Sequence, residues 1–211
     1  PMAQDYRGQT LHEIPPNGQG LAALVALGML QHHDIGVLPV DSADSLHLQV
    51  EAMKLAFAEA YRHIADPAWM EVPPEALLDA GLLTERAGTI DMCEAHFPES
   101  ALPTDHGTVY LTAADADGMM VSFIQSNYLG FGSGIVIPGT GISLQDRGAC
   151  FRVEEGHPNR VDGGKRPFHT IIPGFVTSGG EPVMSFGVMG GPMQPQGHLQ
   201  MMVRIYDYGQ N

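Results

Sequence analysis

The chain of 211 residues carries 10 Lys+Arg against 24 Asp+Glu, a formal net charge of −14, with 44% hydrophobic and 16% charged residues. This is the composition of a folded chain with a sizeable core rather than of a disordered one, and its acidity excludes an electrostatic grip on nucleic acid or on an anionic membrane. No apolar stretch reaches the ~18 residues of a membrane span, and two cysteines, Cys93 and Cys150, give neither a disulfide framework nor a metal-ligand spacing.

The charge divides the chain. Residues 1–107 hold 4 basic and 16 acidic residues, residues 108–211 hold 6 and 8, and the second stretch has most of the 26 glycines. Two differently built regions are expected. The sequence opens Pro-Met-Ala-Gln and stops at Asn211 just after a helical pattern. It is read as the middle of a longer protein, which leaves the compartment open, with the cytoplasm favoured over the periplasm.

The first region reads as mostly helical. Pro15-Pro16 hold the preceding chain extended and Asn17 offers a start signal. The run Gly20–Leu30 is apolar almost all round and predicts a buried helix. Residues 42–65 predict a longer amphipathic helix with Leu46, Val50, Met53, Phe57, Ala60 and Ile64 on one face, capped by Ser42 or Asp44 and ended by Asp66-Pro67. Short helices are expected at 73–80 and 84–89, and residues 91–107, with Pro98, Pro103 and Gly107, read as an exposed linker.

The second region switches to a two-residue period. Residues 108–114 and 120–126 predict paired strands around the Asp117-Gly118 turn. A glycine-rich segment, 130–141, precedes a second hairpin of 171–177 and 182–189 around Ser178-Gly179-Gly180-Glu181, and a helix is expected over 196–208. Helices followed by antiparallel strands and another helix imply an α+β fold.

Several residues carry chemistry. Gly190-Gly191, after a strand and before a helix, is either a tight turn or a pair of backbone N–H donors for a developing oxyanion. Gly163-Gly164-Lys165-Arg166-Pro167 lacks the spacing of a phosphate loop, and His12, His32, His33, His157, His169 and His198 show no metal pattern, so neither metal nor cofactor is expected. Thr108 opens a strand just after His106-Gly107. It is either an ordinary strand residue or, once freed by cleavage of the preceding bond, a nucleophile whose own α-amine, with a pKa near ~8, serves as its base.

The motifs taken in order resemble the γ-glutamyltransferase family of N-terminal nucleophile hydrolases. The resemblance is carried by Pro15-Pro16-Asn17-Gly18-Gln19-Gly20, by His47 with Glu51–Ala58 and Asp66-Pro67, and by Thr108–Asp115 with Asp117-Gly118 and Ser126. Phe131-Gly132-Ser133-Gly134, Pro138-Gly139, Gly141-Ile142, Gly164-Lys165-Arg166-Pro167 and Gly190-Gly191 complete it. It implies an αββα four-layer sandwich, of which this chain is an incomplete domain. It also implies a precursor cut between Gly107 and Thr108, so that 1–107 ends a large subunit and 108–211 begins a small one, with a dimer of these as an expected assembly. Thr108 aligns with the nucleophile, Ser126 with a hydroxyl that bonds it, and Gly190 and Gly191 with the oxyanion glycines.

The departures from the family pattern concern the substrate. Arg147 and Cys150 stand where acidic residues hold a substrate ammonium, Tyr128 replaces an Asn (with Asn127 beside it), His169-Thr170 replaces a Ser-Ser pair and Val109 replaces a Thr. These departures resemble a divergent branch of the family, to which some cephalosporin acylases are related. The expected substrate is a small amide or γ-glutamyl compound held by Tyr128, Arg147, Cys150, His169 and Thr170. Acyl groups without an α-ammonium are expected to be preferred, with Arg147 placed to pair with an acyl carboxylate. The competing readings are a cephalosporin-acylase-like hydrolase and a non-catalytic scaffold relative.

Overall fold

A computed structural model describes residues 1–95 and 107–211. The predicted linker falls largely on residues 96–106, outside the described residues, with 91–95 exposed and Gly107 already in a strand.

Strands β1 (Met2–Tyr6) and β2 (Gln9–Glu13) open the chain as an antiparallel hairpin. This hairpin is absent from the helical reading of the first region. Its turn, Arg7 (φ 51°) and Gly8 (φ 81°), has positive φ at both central residues, as a tight two-residue hairpin requires. The period-two signal is masked because Glu13, a carboxylate, occupies an inward position beside Leu11.

Helix α1 (Gly20–Leu30) is buried at every residue, as its composition implies. Its cap residue is Gln19 rather than Asn17, whose side chain instead donates to Pro167 O at 2.5 Å. Helix α2 (Ala43–His63) packs on α1 and starts at Ser42, whose Oγ accepts Ser45 N at 3.2 Å. Its buried stripe differs from the predicted one. Ser45, Leu48, Gln49, Ala52, Met53, Ala56 and Ala60 face inward, while Leu46 and Val50 are 45% and 53% exposed. Small residues four apart let the two helices approach closely, which outweighs the larger apolar side chains. The first of the two predicted short helices is a 3-10 turn, Pro74–Leu78. A single helix, α3 (Ala80–Ala87), covers the gap before the second, capped by Asp79 Oδ1 on Leu82 N at 3.0 Å.

Strands β3 (Gly107–Ala114) and β4 (Met120–Tyr128) form the predicted hairpin. The second hairpin is shorter than expected, β5 (Gly174–Ser178) and β6 (Glu181–Phe186), and α4 runs over Met193–Tyr206. β1, β2, β5 and β6 make one sheet in that order, with β5 paired to β2, so the two ends of the chain share a sheet. Helix α1 packs on β1 and β2, α4 reaches β2 through His198, α2 packs outside on α1 and α4, and the β3–β4 hairpin leans on β6. The described residues thus supply helical, sheet and second-sheet layers, in agreement with the α+β expectation.

Two buried groups tie these layers together. Glu13 and His198 meet at 2.5 Å with both side chains fully enclosed. Burial pushes the Glu13 carboxyl up, and the imidazole opposes that shift. His169 lies against Gly18, where an added Cβ would come within 2.9 Å of its ring, and its backbone bonds Asn17 O and Gln19 N at 3.0 Å each. Burial first, then the charges of Arg147 and Arg166, hold the imidazole down to about 4.

Two outcomes are expected in the full-length protein. His198→Leu strands the Glu13 carboxyl in the core and costs about 3–5 kcal/mol in urea unfolding, whereas Glu13→Met combined with His198→Leu costs less than that single change. His169 binds its proton more weakly folded than unfolded, so it contributes stability that is present above pH ~6.5 and lost as pH falls toward about 4. His169→Gln therefore flattens the dependence of Tm on pH across that window.

Candidate active site

The hydroxyl of Ser126 is the geometric centre of the site. It donates to Gly107 O at 2.7 Å and accepts from Thr108 Oγ1 at 3.3 Å and from Tyr128 N at 2.9 Å. Its one proton and two lone pairs are all used. Strand pairing brings this about. Thr108 is opposite Ser126, Gly107 is opposite Tyr128, and the register shifts between Gly107 and Thr108, leaving Asn127 as the extra residue of a bulge. A bulge bends its strand and re-aims side chains. Here it places the Gly107 carbonyl and the Thr108 hydroxyl on one oxygen.

Tyr128 ends the strand with φ +77°, a backbone conformation that a bulky side chain adopts at a cost. Its N–H is held by Ser126, and its ring lies 5.4 Å from the guanidinium of Arg147. Burial pushes the Tyr128 phenol up, and the neighbouring Cys150 thiol pushes it in the same direction. The Cys150 thiol is itself raised, chiefly by burial.

Tyr128, Cys150 and Thr170 line a cavity of about 250 Å³ that reaches Pro192, the residue after Gly191. Aromatic walls come from Tyr61, Phe151 and Phe168, and among the described residues no carboxylate lines it. Asn159 stitches two walls, donating to Cys150 O at 2.8 Å and accepting Phe168 N at 2.9 Å. Arg147 stands behind the lining. It is 7% exposed, gives Nη1 to Thr170 Oγ1 at 3.1 Å, and leaves Nη2 buried with no hydrogen-bond partner among the described residues. His169 turns toward Gly18 and is not part of the lining. Arg152 supplies the cationic side chain of the cavity wall.

The Gly190-Gly191 turn follows β6, to which the β3–β4 hairpin is joined by Ser122 Oγ on Phe186 O at 3.3 Å and by the Thr112 and Ser185 hydroxyls. Both glycines have positive φ, +116° and +57°, which reserves these positions for residues without a Cβ. Their carbonyls are engaged, Gly190 O by Met193 N at 3.0 Å and Gly191 O by Gln194 N at 3.1 Å. Neither glycine N–H donates within the described residues. Such a turn at a helix start offers two N–H groups to an anion.

Sequence reasoning missed Gln19, Asn159 and the aromatic walls. Gln19 was visible within its motif, but its burial and partners were not. The walls come from segments far apart in the chain, and no local pattern joins them. No described group of three His, Cys, Asp or Glu residues could hold a metal ion, and no described helix is long and apolar enough to cross a membrane.

Comparison with known proteins matches this arrangement to one family. The family model for gamma-glutamyltranspeptidase matches residues 1–211. The chain is 39% identical to the glutathione hydrolase-like YwrD proenzyme of Bacillus subtilis over 99% of its own length and 39% of that protein's. It is 37% identical to the oxamate amidohydrolase proenzyme of Klebsiella pneumoniae over 97% and 38%, respectively. The crystal structure of cephalosporin acylase from Bacillus halodurans superposes with a TM-score of 0.92 at 50% identity, covering 100% of this chain and 38% of that one. The chain spans about two-fifths of the length of these relatives. Its fold is that of the N-terminal nucleophile hydrolases, and the chain belongs to the gamma-glutamyltranspeptidase family.

Proposed function

We propose that this chain holds the subunit junction and nucleophile of a self-processing amidohydrolase, with residues 1–107 ending the large subunit and 108–211 beginning the small one. The observation that carries the reading is the triple use of the Ser126 hydroxyl. In the uncut chain, its O–H on Gly107 O draws electron density from the carbonyl that Thr108 Oγ attacks. The acyl group shifts from nitrogen to that oxygen, and water hydrolyses the resulting ester, leaving Thr108 with a free α-amine.

The same oxygen then serves turnover. The α-amine takes the Oγ proton as Oγ adds to an amide carbonyl, with Ser126 holding the hydroxyl in place. Charge developing on the carbonyl oxygen is met by the N–H groups of Gly190 and Gly191 in a fixed orientation. The ammonium returns its proton to the leaving amine, and the ester passes to water or to an amine acceptor. Relatives named as an amidohydrolase proenzyme and an acylase proenzyme support the reading of a precursor that becomes an amide-cleaving enzyme.

The cavity supports a finer reading of the acyl group, as one without a free α-ammonium. An ammonium brought into a pocket with no carboxylate among its described lining exchanges its hydration only for aromatic faces and neutral acceptors, which return less than an ion pair would. Arg147 behind Tyr128 and Thr170 adds like charge. Arg152 in the wall, which faces Glu154 Oε1 at 3.8 Å in a solvent-exposed pair, offers a partner to an acyl carboxylate that takes the place of Glu154. A glutaryl-type chain suits this surface better than a γ-glutamyl one. The small-molecule amide, the two-subunit product and any dimer of it belong to this proposal for the whole protein.

Two measurements on the full-length protein check these points. Thr108→Ala abolishes both the split at Gly107 and amide hydrolysis, Thr108→Ser keeps part of each, and Ser126→Ala lowers kcat by about 10²-fold with the fold intact. A Thr108→Ala protein that still yields two chains by mass spectrometry refutes the nucleophile assignment. For matched anilides, kcat/KM is expected to favour glutaryl over γ-glutamyl by at least about tenfold, equivalent to ~1.4 kcal/mol. The reverse preference removes the acyl assignment and leaves the Thr108 assignment standing.

A further inference from the structure

The turn at Gly190-Gly191 is held by a residue far from it in sequence. Gln19 is completely buried at the start of α1, and its Nε2 donates both protons, to Thr170 O at 2.6 Å and to Gly191 O at 2.8 Å. Its backbone N–H is committed as well, to His169 O at 3.0 Å. Its Oε1 is buried with no hydrogen-bond partner among the described residues. The amide is thus oriented for two donations, at the cost of an unmatched acceptor, because both of its neighbours are carbonyl oxygens.

We infer that Gln19 is a positioning residue for the anion-binding turn. The inference rests on the reading of Gly190 and Gly191 as oxyanion donors. Two consecutive glycines at positive φ rotate more freely than any other pair. The Met193 N–H on Gly190 O fixes the peptide plane that carries the Gly191 N–H. Gln194 N and Gln19 Nε2 hold the next carbonyl, Gly191 O, on the peptide to Pro192, so Gln19 steadies the backbone that directly follows the second donor. Among the described residues, Gln19 alone bonds the turn to Thr170, a wall of the cavity. Gln19 Nε2 therefore helps set the spacing between the group that contacts the acyl chain and the donors that meet the oxyanion, alongside Gln194, whose Oε1 accepts Ile172 N at 3.0 Å. A helix enclosed on all sides carries that nitrogen, so the spacing is held by the core rather than by a loop.

A residue in this role affects a tetrahedral species more than a planar one. The test uses the processed full-length enzyme and compares wild type with Gln19→Met, which keeps length and volume but removes both donors. The probes are the boronic acid bearing the acyl chain of the preferred anilide, which forms a tetrahedral adduct on Thr108, and the free acid product, which does not. Gln19→Met is expected to weaken the boronic acid and to lower kcat by about tenfold or more each, with product affinity and KM within about twofold of wild type. Gln19→Asn, which keeps the amide but is one methylene shorter, is expected to fall between the two. It carries the same comparison if Gln19→Met does not fold. Equal loss for boronic acid and product, or no loss of either, overturns the inference. A wild-type enzyme whose boronic acid adduct is not on Thr108 instead removes the reading on which the inference rests, and is told apart by mass spectrometry of the adduct before any variant is made.

Discussion

Helix α1 has no side for water, and the arrangement of the other elements follows from covering it. All eleven of its residues are buried, so the β1–β2 hairpin, α2, α3 and α4 each take part of its surface. Burying apolar surface at roughly 25 cal/mol per Å² makes leaving any face uncovered expensive. The cover is drawn from both ends of the sequence. Tyr6, on β1, gives its hydroxyl to Asp207 Oδ2 at 2.6 Å, just after α4, and Asp207 also takes Arg7 Nε at 2.7 Å. A helix that must be enclosed thereby closes the chain on itself.

The start of that helix positions the chemistry. Residues 17–20 run between the core and the 167–170 segment, with Asn17 bonded to Pro167 O and Gln19 bonded to Thr170 O and Gly191 O. Polar groups at this depth persist only when their partners are fixed. The segment that delivers α1 to the core therefore also aligns a cavity wall with a turn of two free N–H groups. On the other side, Ser126 and the strand bulge align a carbonyl with a hydroxyl. The cavity that Tyr128 and Pro192 both line lies between these two independently fixed pieces.

Its electrostatics follow from what the lining lacks. An acidic chain of net charge −14 presents a cavity with no carboxylate among its described lining, backed by a buried arginine that has no ion pair among the described residues. The overall charge thus says little about the pocket, because a guanidinium under Tyr128 and Thr170 acts locally.

The sequence by itself determined the elements whose signals are local. The all-apolar run of α1 and the Asp-Gly hairpin after residue 114 were legible because spacing encodes them, whereas the motifs around Thr108, Ser126 and Gly190-Gly191 were legible through their order and the family resemblance it carries. The opening hairpin was not, since Glu13 breaks the alternation and its burial is paired by His198 from the far end of the chain. The buried stripe of α2 was legible only in part, since Met53, Ala60 and the following Ile64 are buried as expected but close helix approach favoured alanines over Leu46 and Val50. Only the tertiary structure decided that Arg147 stands behind the cavity wall rather than on it, that His169 faces Gly18, and that Gln19 spans Thr170 and Gly191. Each of these depends on which distant carbonyl or ring lies within ~3–5 Å of a polar group, and no periodicity in a linear chain records that distance.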